Sequence, residues 1–247
     1  MKKVKDFSND HNLIEQLYEL TRPSYVDNSA VLIREIKHCS EIYLLYKVET
    51  LVAFFMVNFE KVGALNTFYL GLSGCHKDFK GVGFAKLLYN TFFIDCKHKE
   101  KEVGSKILCW WTTATPIPFK WFNDNIEKCE PNLNGDVSEF GRHNMIEIRK
   151  LKYSHIPIDF SLPFILKGVA EHTNYSISEK LKLQKVQEEL KLKAFERYPI
   201  DETKGDRYLM IGFVPELEVL KQRVDGIATY NSGFGAMPGD QTQHQHQ

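Results

Sequence analysis

The stretch Asn66 to Phe93, NTFYLGLSGCHKDFKGVGFAKLLYNTFF, constrains the fold more than any other part of this chain. Thr67, Phe68, Tyr69, Leu70 and Leu72 are β-branched, aromatic or aliphatic, which predicts a largely buried strand. Gly71 and Gly74 interrupt it, as glycines do at a bulge or where a ligand nears the backbone. From Phe84 onward, Leu87, Leu88, Thr91 and Phe92 recur at helical spacing and give one apolar face. Strand and helix are joined through Lys80-Gly81-Val82-Gly83-Phe84-Ala85.

That hexapeptide has the chemistry of an anion site. A helix start leaves backbone N–H groups without partners and carries partial positive charge. Small residues at 81, 83 and 85 allow an anion to approach those N–H groups, and Lys80 adds a full charge. The same glycines would also serve a plain tight turn. Two familiar phosphate loops are excluded: no G-x-x-x-x-G-K-[ST] occurs, and Lys86 stands where G-x-G-x-x-G needs its last glycine.

The segment Lys80 to Ala85 resembles the [Q/R]-x-x-G-x-[G/A] loop of the GCN5-related N-acetyltransferase (GNAT) superfamily, with lysine where that family has Gln or Arg. The charge is kept and the planar fork is lost. The resemblance implies that the loop wraps the pyrophosphate of acetyl-CoA, that the strand before it is the fourth of the fold, and that the helix after it is the third. It implies an α/β (α+β) fold with a mixed, mostly antiparallel central sheet flanked by helices. Strands four and five splay apart, and the pantetheine arm enters between them by strand addition. The cofactor-binding residues it implies are Gly74, Cys75, Lys80, Gly81, Val82, Gly83, Phe84 and Ala85. Cys75 would act through its backbone, its side chain being small and packed.

The order of elements extends the resemblance over residues 1 to about 125. Lys2 to Phe7 reads as a short strand. Asp10 is an N-cap for a helix carrying Leu13, Ile14, Leu17 and Leu20, ended by Arg22-Pro23. Ser29 caps a second helix with Val31, Leu32 and Ile36 on its buried side. Glu41 to Val48 and Leu51 to Phe59 form a hairpin. Lys106 to Thr113 is the fifth strand. Thr115-Pro116-Ile117-Pro118 opens a helix through Phe119, Trp121, Phe122 and Ile126, with proline in the tolerated first turn.

Catalytic candidates follow from the resemblance with two departures. A tyrosine in the helix after strand five often protonates the departing thiolate; Trp121 and Phe122 stand there and neither donates such a proton. A glutamate on strand four often serves as base; Tyr69 occupies that place, and a tyrosine with pKa near 10 is a poor base. Tyr69 and Ser73 share strand parity, so both are expected to face the acceptor, and they are the catalytic candidates. Backbone N–H groups near Ser73 and Gly74 would polarise the thioester carbonyl. Tyr208 is a more distant third candidate.

The segment from about 130 to 205 is the chain's own addition and is expected to cover the acceptor side. Pro131 to Asp136 is a turn-rich loop. Asn144 to Tyr153 reads as a strand with Ile146 and Ile148 on one face. Leu162 to Ala170 is ambiguous between strand and helix. Ser176 to Arg197 reads as one helix, capped by Ser176 or Ser178, with Leu183, Val186, Leu190 and Ala194 as its apolar stripe. Arg207 to Val214 is the last strand. Residues 1–230 are expected to form a single domain and Asn231 to Gln247 a disordered tail.

Composition narrows the partners. Thirty-two basic residues balance thirty-two acidic ones, so net charge argues for neither nucleic acid nor an anionic membrane. No apolar run has the roughly 20 residues of a membrane span, and MKKVKDFSNDH lacks a signal-peptide core. Five cysteines without a C-x-x-C pair point to a reducing compartment, no zinc site and a cytoplasmic location. The expected activity is acetyl or acyl transfer from acyl-CoA to an amine (small molecule, peptide or protein), by direct attack, with no metal. A homodimer is compatible with this reading. A CoA-binding sensor or interaction module without catalysis is the alternative, and another nucleotide-binding α/β protein that takes ATP or NAD is a third.

Overall fold

The computed structural model describes residues 1–170 and 175–233, with the side chains of 228–233 excepted. Its strands are β1 (Lys2–Lys5), β2 (Glu41–Lys47), β3 (Thr50–Val62), β4 (Leu65–Cys75), β5 (Leu108–Thr113), β6 (Glu127–Glu130), β7 (Ile165–Leu166) and β8 (Arg207–Phe213). The helices are α1 (His11–Thr21), α2 (Ser29–His38), α3 (Phe84–Val103), α4 (Pro116–Asn125), α5 (Glu139–Lys152), α6 (Ile177–Leu190), α7 (Lys193–Arg197) and α8 (Leu217–Gly233). Among the described residues one sheet runs β1-β2-β3-β4-β5-β8-β6, with β7 also on β8. All neighbours are antiparallel except β4 and β5. This is the mixed, helix-flanked sheet that the resemblance implied.

The parallel pair is short. Thr67, Phe68 and Tyr69 match Leu108, Cys109 and Trp110, and pairing ends there. Leu70 to Cys75 continue along β3 while Trp111 to Thr113 continue along β8, so two backbone edges diverge from Tyr69 and Trp110. A bulge adds to the divergence. Val57 pairs with Leu70 and Phe55 with Ser73, leaving Gly71 and Leu72 opposite Met56 alone.

The bulge breaks the strand parity expected of Tyr69 and Ser73. Tyr69 and the Cα–H of Gly71 turn towards α2, whereas Ser73 turns to α3. A methyl group at Gly71 would lie 2.6 Å from Cys39 Sγ and 2.8 Å from Glu35 Oε2, so only glycine lets β4 pass this close to α2.

Other elements depart from the sequence reading for identifiable reasons. Asn144 to Tyr153 is not a strand: Asn144 to Lys152 make up the greater part of α5, and Tyr153 caps its end. Ser138 Oγ accepts from Gly141 N at 3.1 Å, Glu139 lies in the first turn, and Arg149, Lys150 and Lys152 lie in the last. Gly141, Asn144, Met145, Ile148 and Arg149 form the buried stripe at helical spacing, so the alternation of Ile146 and Ile148 is incidental. Buried Arg149 donates to the carbonyls of Pro157, Pro163 and Ile165 at 2.8, 3.2 and 2.9 Å. Those bonds fold the following segment back and deliver β7 to β8.

Asp27 Oδ1, not Ser29, accepts from the first turn of α2, through Ser29 N at 2.8 Å. The expected helix Ser176 to Arg197 is two helices, broken where Lys191 adopts φ 44°. Ser176 caps α6 as expected, through Glu179 N. None of α6 is fully buried, and of the expected stripe only Ala194, in α7, is. Residues 217–230, for which no element was expected, belong to α8. That helix also takes in Asn231 to Gly233, where the disordered tail was to begin. Residues 234–247 lie outside the described residues.

Candidate functional site

The wedge between β4 and β5 opens into a cavity of about 340 Å³. Tyr69, Ser73, Gly74, Cys75 and Lys80 line it, and Gly81 to Ala85 lie beyond its lining. Glu35, Tyr89, Trp111, Tyr175 and Glu179 also line it, and sequence reasoning had singled out none of these five for the site.

At the apex, Tyr69 Oη donates to Glu35, 3.1 Å from Oε1 and 3.2 Å from Oε2. Glu35 is 5% exposed, and its carboxylate is flanked by Arg34 Nε at 3.5 Å and Cys39 Sγ at 3.9 Å. Helical geometry puts it there: Glu35 is three residues after buried Leu32 on the inner face of α2 and four before buried Cys39, the residue that ends the helix. Burial, and then the negative charge of Glu35, push the Tyr69 hydroxyl well above the ordinary tyrosine range. Tyr69 is therefore a hydrogen-bond donor and not a base. Burial and the same carboxylate push up the Cys39 thiol, which stays neutral.

On the other face, Ser73 Oγ and Tyr89 Oη are 2.6 Å apart. Tyr89 comes from α3 and packs among Phe55, Trp121 and Phe122, with ring centroids 4.3, 4.8 and 5.4 Å away. Burial pushes its hydroxyl up to about 12, against a smaller lowering by the Ser73 hydrogen bond. Trp121 and Phe122 are thus the walls around a tyrosine supplied by the neighbouring helix. Tyr208 is excluded as a third hydroxyl: it is fully buried and donates to the Tyr198 carbonyl.

The loop before α3 holds Gly81 at φ 84° and Gly83 at φ 97°, a left-handed geometry that side chains resist. Gly83 is the N-cap and provides no side chain for the first turn. Leu87 N donates to Gly83 O at 3.0 Å, which leaves Phe84, Ala85 and Lys86 N–H without a carbonyl inside the helix. Lys80 Nζ is 3.9 Å from Glu179 in the first turn of α6. The added segment is tied to this end of the cleft through the Tyr25–Tyr175 bridge, whose rings stack at 5.4 Å, and through Ser176 N to Ser24 O at 3.1 Å. Cys75 Sγ donates to Phe79 O at 3.4 Å and is packed, as expected.

These features fit a phosphate-bearing ligand with an extended amide arm. The helix start and Lys80 suit the phosphates, and the two free strand edges suit the amides. Trp111 is 2% exposed and lines the cavity, and its Nε1–H has no hydrogen-bond partner among the described residues. A buried donor without a partner is uncommon and calls for one, and a ligand carbonyl in this cavity would supply it.

A second cavity, about 470 Å³, lies against the other side of the apex. Arg34, Glu35, Tyr69, Thr112 and Arg207 line both cavities, so the Glu35–Tyr69 pair stands in their common wall. The added segment contributes Tyr153, His155, Val169 and Ala170 here as well as Tyr175, Glu179 and Leu183 to the first cavity. It lines both cavities. No group of three or more His, Cys, Asp or Glu placed to hold a metal occurs among the described residues. No described helix is long and apolar enough to cross a membrane.

No family model matches this chain, and no curated protein matches it either. Solved structures give remote likenesses. A ribosomal-protein-S18-alanine N-acetyltransferase from Escherichia coli is 8% identical, covering 87% of this chain and 94% of its own at a TM-score of 0.39. A ribosomal-protein-alanine N-acetyltransferase from Brucella melitensis is 17% identical, covering 48% of this chain and 82% of its own at 0.33. Naa50 of Arabidopsis thaliana, in complex with the bisubstrate analogue CoA-Ac-MVNAL, is 17% identical, covering 56% and 91% at 0.37. Likenesses this distant carry no functional argument, which rests on the cleft itself.

Proposed function

We propose that this chain is an acyl-CoA-dependent N-acyltransferase of GNAT type, acting as a single domain that transfers an acetyl or other acyl group directly to an amine. The observation that carries this reading is the Glu35–Tyr69 pair at the apex of the β4/β5 wedge, between two cavities. One cavity has the features of an acyl-CoA arm site, and the other gives an amine its own approach to the same carboxylate.

The thioester supplies an activated acyl group, and the protein supplies position and proton traffic. Glu35 accepts the proton that the amine nitrogen loses as the C–N bond forms. Tyr69 donates to Glu35 and holds the carboxylate in register. Backbone N–H groups of the β4 bulge, at Gly71 to Gly74, would stabilise the charge that develops on the thioester oxygen. Tyr89, paired with Ser73, gives its proton to the sulfur as the C–S bond breaks, and solvent restores both groups. A non-catalytic module is the weaker reading, because its support was the missing strand glutamate and helix tyrosine. Glu35 on α2 and Tyr89 on α3 offer the same two chemistries from other elements.

The test is free-thiol release from acetyl-CoA with a panel of amines, comparing the wild type with Glu35→Gln. Amine-dependent release that Glu35→Gln lowers at least a hundredfold supports the proposal, that being the low end of what general-base catalysis contributes. Release with no dependence on an amine, or equal release by the variant, overturns it.

A further inference from the structure

The second cavity has a charge pattern that the transfer reaction does not require. Four basic side chains line it, Arg34, Lys37, Lys152 and Arg207, against two carboxylates, Glu35 and Glu60. Glu60 is taken by Lys152, and Glu35 is approached by Arg34 and Tyr69. Lys37, His38 and His155 stand exposed on the rim, and their side chains make no ion pair or hydrogen bond among the described residues. The His38 ring is 6.5 Å from the Tyr69 ring, so this rim begins one side chain away from the apex carboxylate.

An acceptor of this enzyme must present a neutral amine to Glu35, and a polycationic amine would meet like charge all along the approach. Selectivity against such amines is what like-charge lining produces. Resting on the proposed function, we infer that the acceptor is a compact amine bearing an acidic group, its nitrogen at Glu35 and its carboxylate or phosphate at Lys37, His38 and His155. The aromatic walls, Trp110 and Tyr153, whose rings meet edge to face at 6.3 Å, would hold the short apolar link between the two groups.

The experiment compares acceptors matched in length: amino acids, aminoalkyl phosphates, neutral alkylamines and a polyamine, each with acetyl-CoA and the full chain. Thiol release gives kcat/KM, and thermal unfolding in the presence of CoA gives binding. The expected result is a kcat/KM at least tenfold higher for the acidic amines, lost in Lys37→Glu through KM with kcat retained. Simple alkylamines, which carry no acidic group to pair with Lys37, should not show the loss of kcat/KM that Lys37→Glu imposes on the acidic amines. The carboxylate and phosphate arms separate the two forms of the acidic group. Preference for neutral or polycationic amines overturns the inference and leaves the transfer reaction standing. CoA binding with no turnover, and no added stabilisation by acidic amines, also overturns it. Absence of both CoA binding and turnover overturns it together with the proposed function.

Discussion

Tyr69 on β4 donates its hydroxyl to both oxygens of Glu35 on α2, at 3.1 and 3.2 Å, where β4 parts from β5. A buried carboxylate needs such partners, and here the partner is a phenol that burial keeps protonated. Removing the hydroxyl while keeping the ring tests the arrangement. Tyr69→Phe should lower kcat by roughly tenfold or more, the effect of losing one hydrogen bond to a charged group worth about 1.5–3 kcal/mol. Acetyl-CoA affinity should change little. Unchanged kcat in Tyr69→Phe would remove Tyr69 from the account.

Gly71 tests the same pair from the backbone. A methyl group there would be 2.8 Å from Glu35 Oε2 and 3.1 Å from Met56 O, and a main-chain oxygen cannot swing away. Gly71→Ala should displace the carboxylate and destabilise the fold by about 1–3 kcal/mol, the usual cost of overpacking. Denaturant unfolding measures the second effect and thiol release the first. Gly63→Ala, where nothing lies within 4 Å of the added methyl, is the control for a strained glycine elsewhere, with turnover unaffected.

Tyr89 gives a pH signature. Its hydroxyl is raised from 10.0 to about 12, so the folded state holds a proton that the unfolded chain releases earlier. The stability this contributes is fully present below pH 10 and is lost as pH rises through about 12. Tyr89→Phe should therefore flatten the alkaline fall in stability over that window, while lowering kcat for poor thiol leaving groups. An unaltered alkaline stability profile would contradict the assignment of this hydroxyl.

The Lys80–Glu179 ion pair, at 3.9 Å, sets a competition at the mouth of the cleft. An anionic ligand must share Lys80 with Glu179. Glu179→Gln should therefore tighten CoA binding by several-fold, and the gain should shrink with salt, since the pair is partly exposed. Weaker binding by Glu179→Gln, measured by titration calorimetry, would contradict this.

The strand, loop and helix from Leu65 to Val103 were legible because their signals are local, apolar runs and the glycines that stand at φ 84° and 97°, and so was the Asp10 cap of α1. The apex was not. Glu35 reads as one more charge on a surface helix until α2 is docked against Gly71. Its spacing from Leu32 and Cys39 was the available sign. Tyr89 was masked by the choice of helix face: the buried residues of α3 include Leu88, Phe92, Phe93 and Cys96, and Tyr89 lies beside that stripe. The parity of Tyr69 and Ser73 failed at a bulge that sequence alternation does not record. In α5, Met-Ile-Glu-Ile mimicked a strand because helical and alternating patterns coincide over so few residues.

Under the proposed function, the β4/β5 wedge and the start of α3 bind acyl-CoA. Thermal unfolding with acetyl-CoA, CoA, ATP and NAD tests it most directly. A ligand at 100 times its Kd stabilises by about 2.7 kcal/mol. For a chain of this size that raises Tm by roughly 5–10 °C. Such a rise is expected with acetyl-CoA and CoA, abolished by Lys80→Glu and by Gly83→Glu. No rise at millimolar CoA, or a rise that both variants keep, would contradict it.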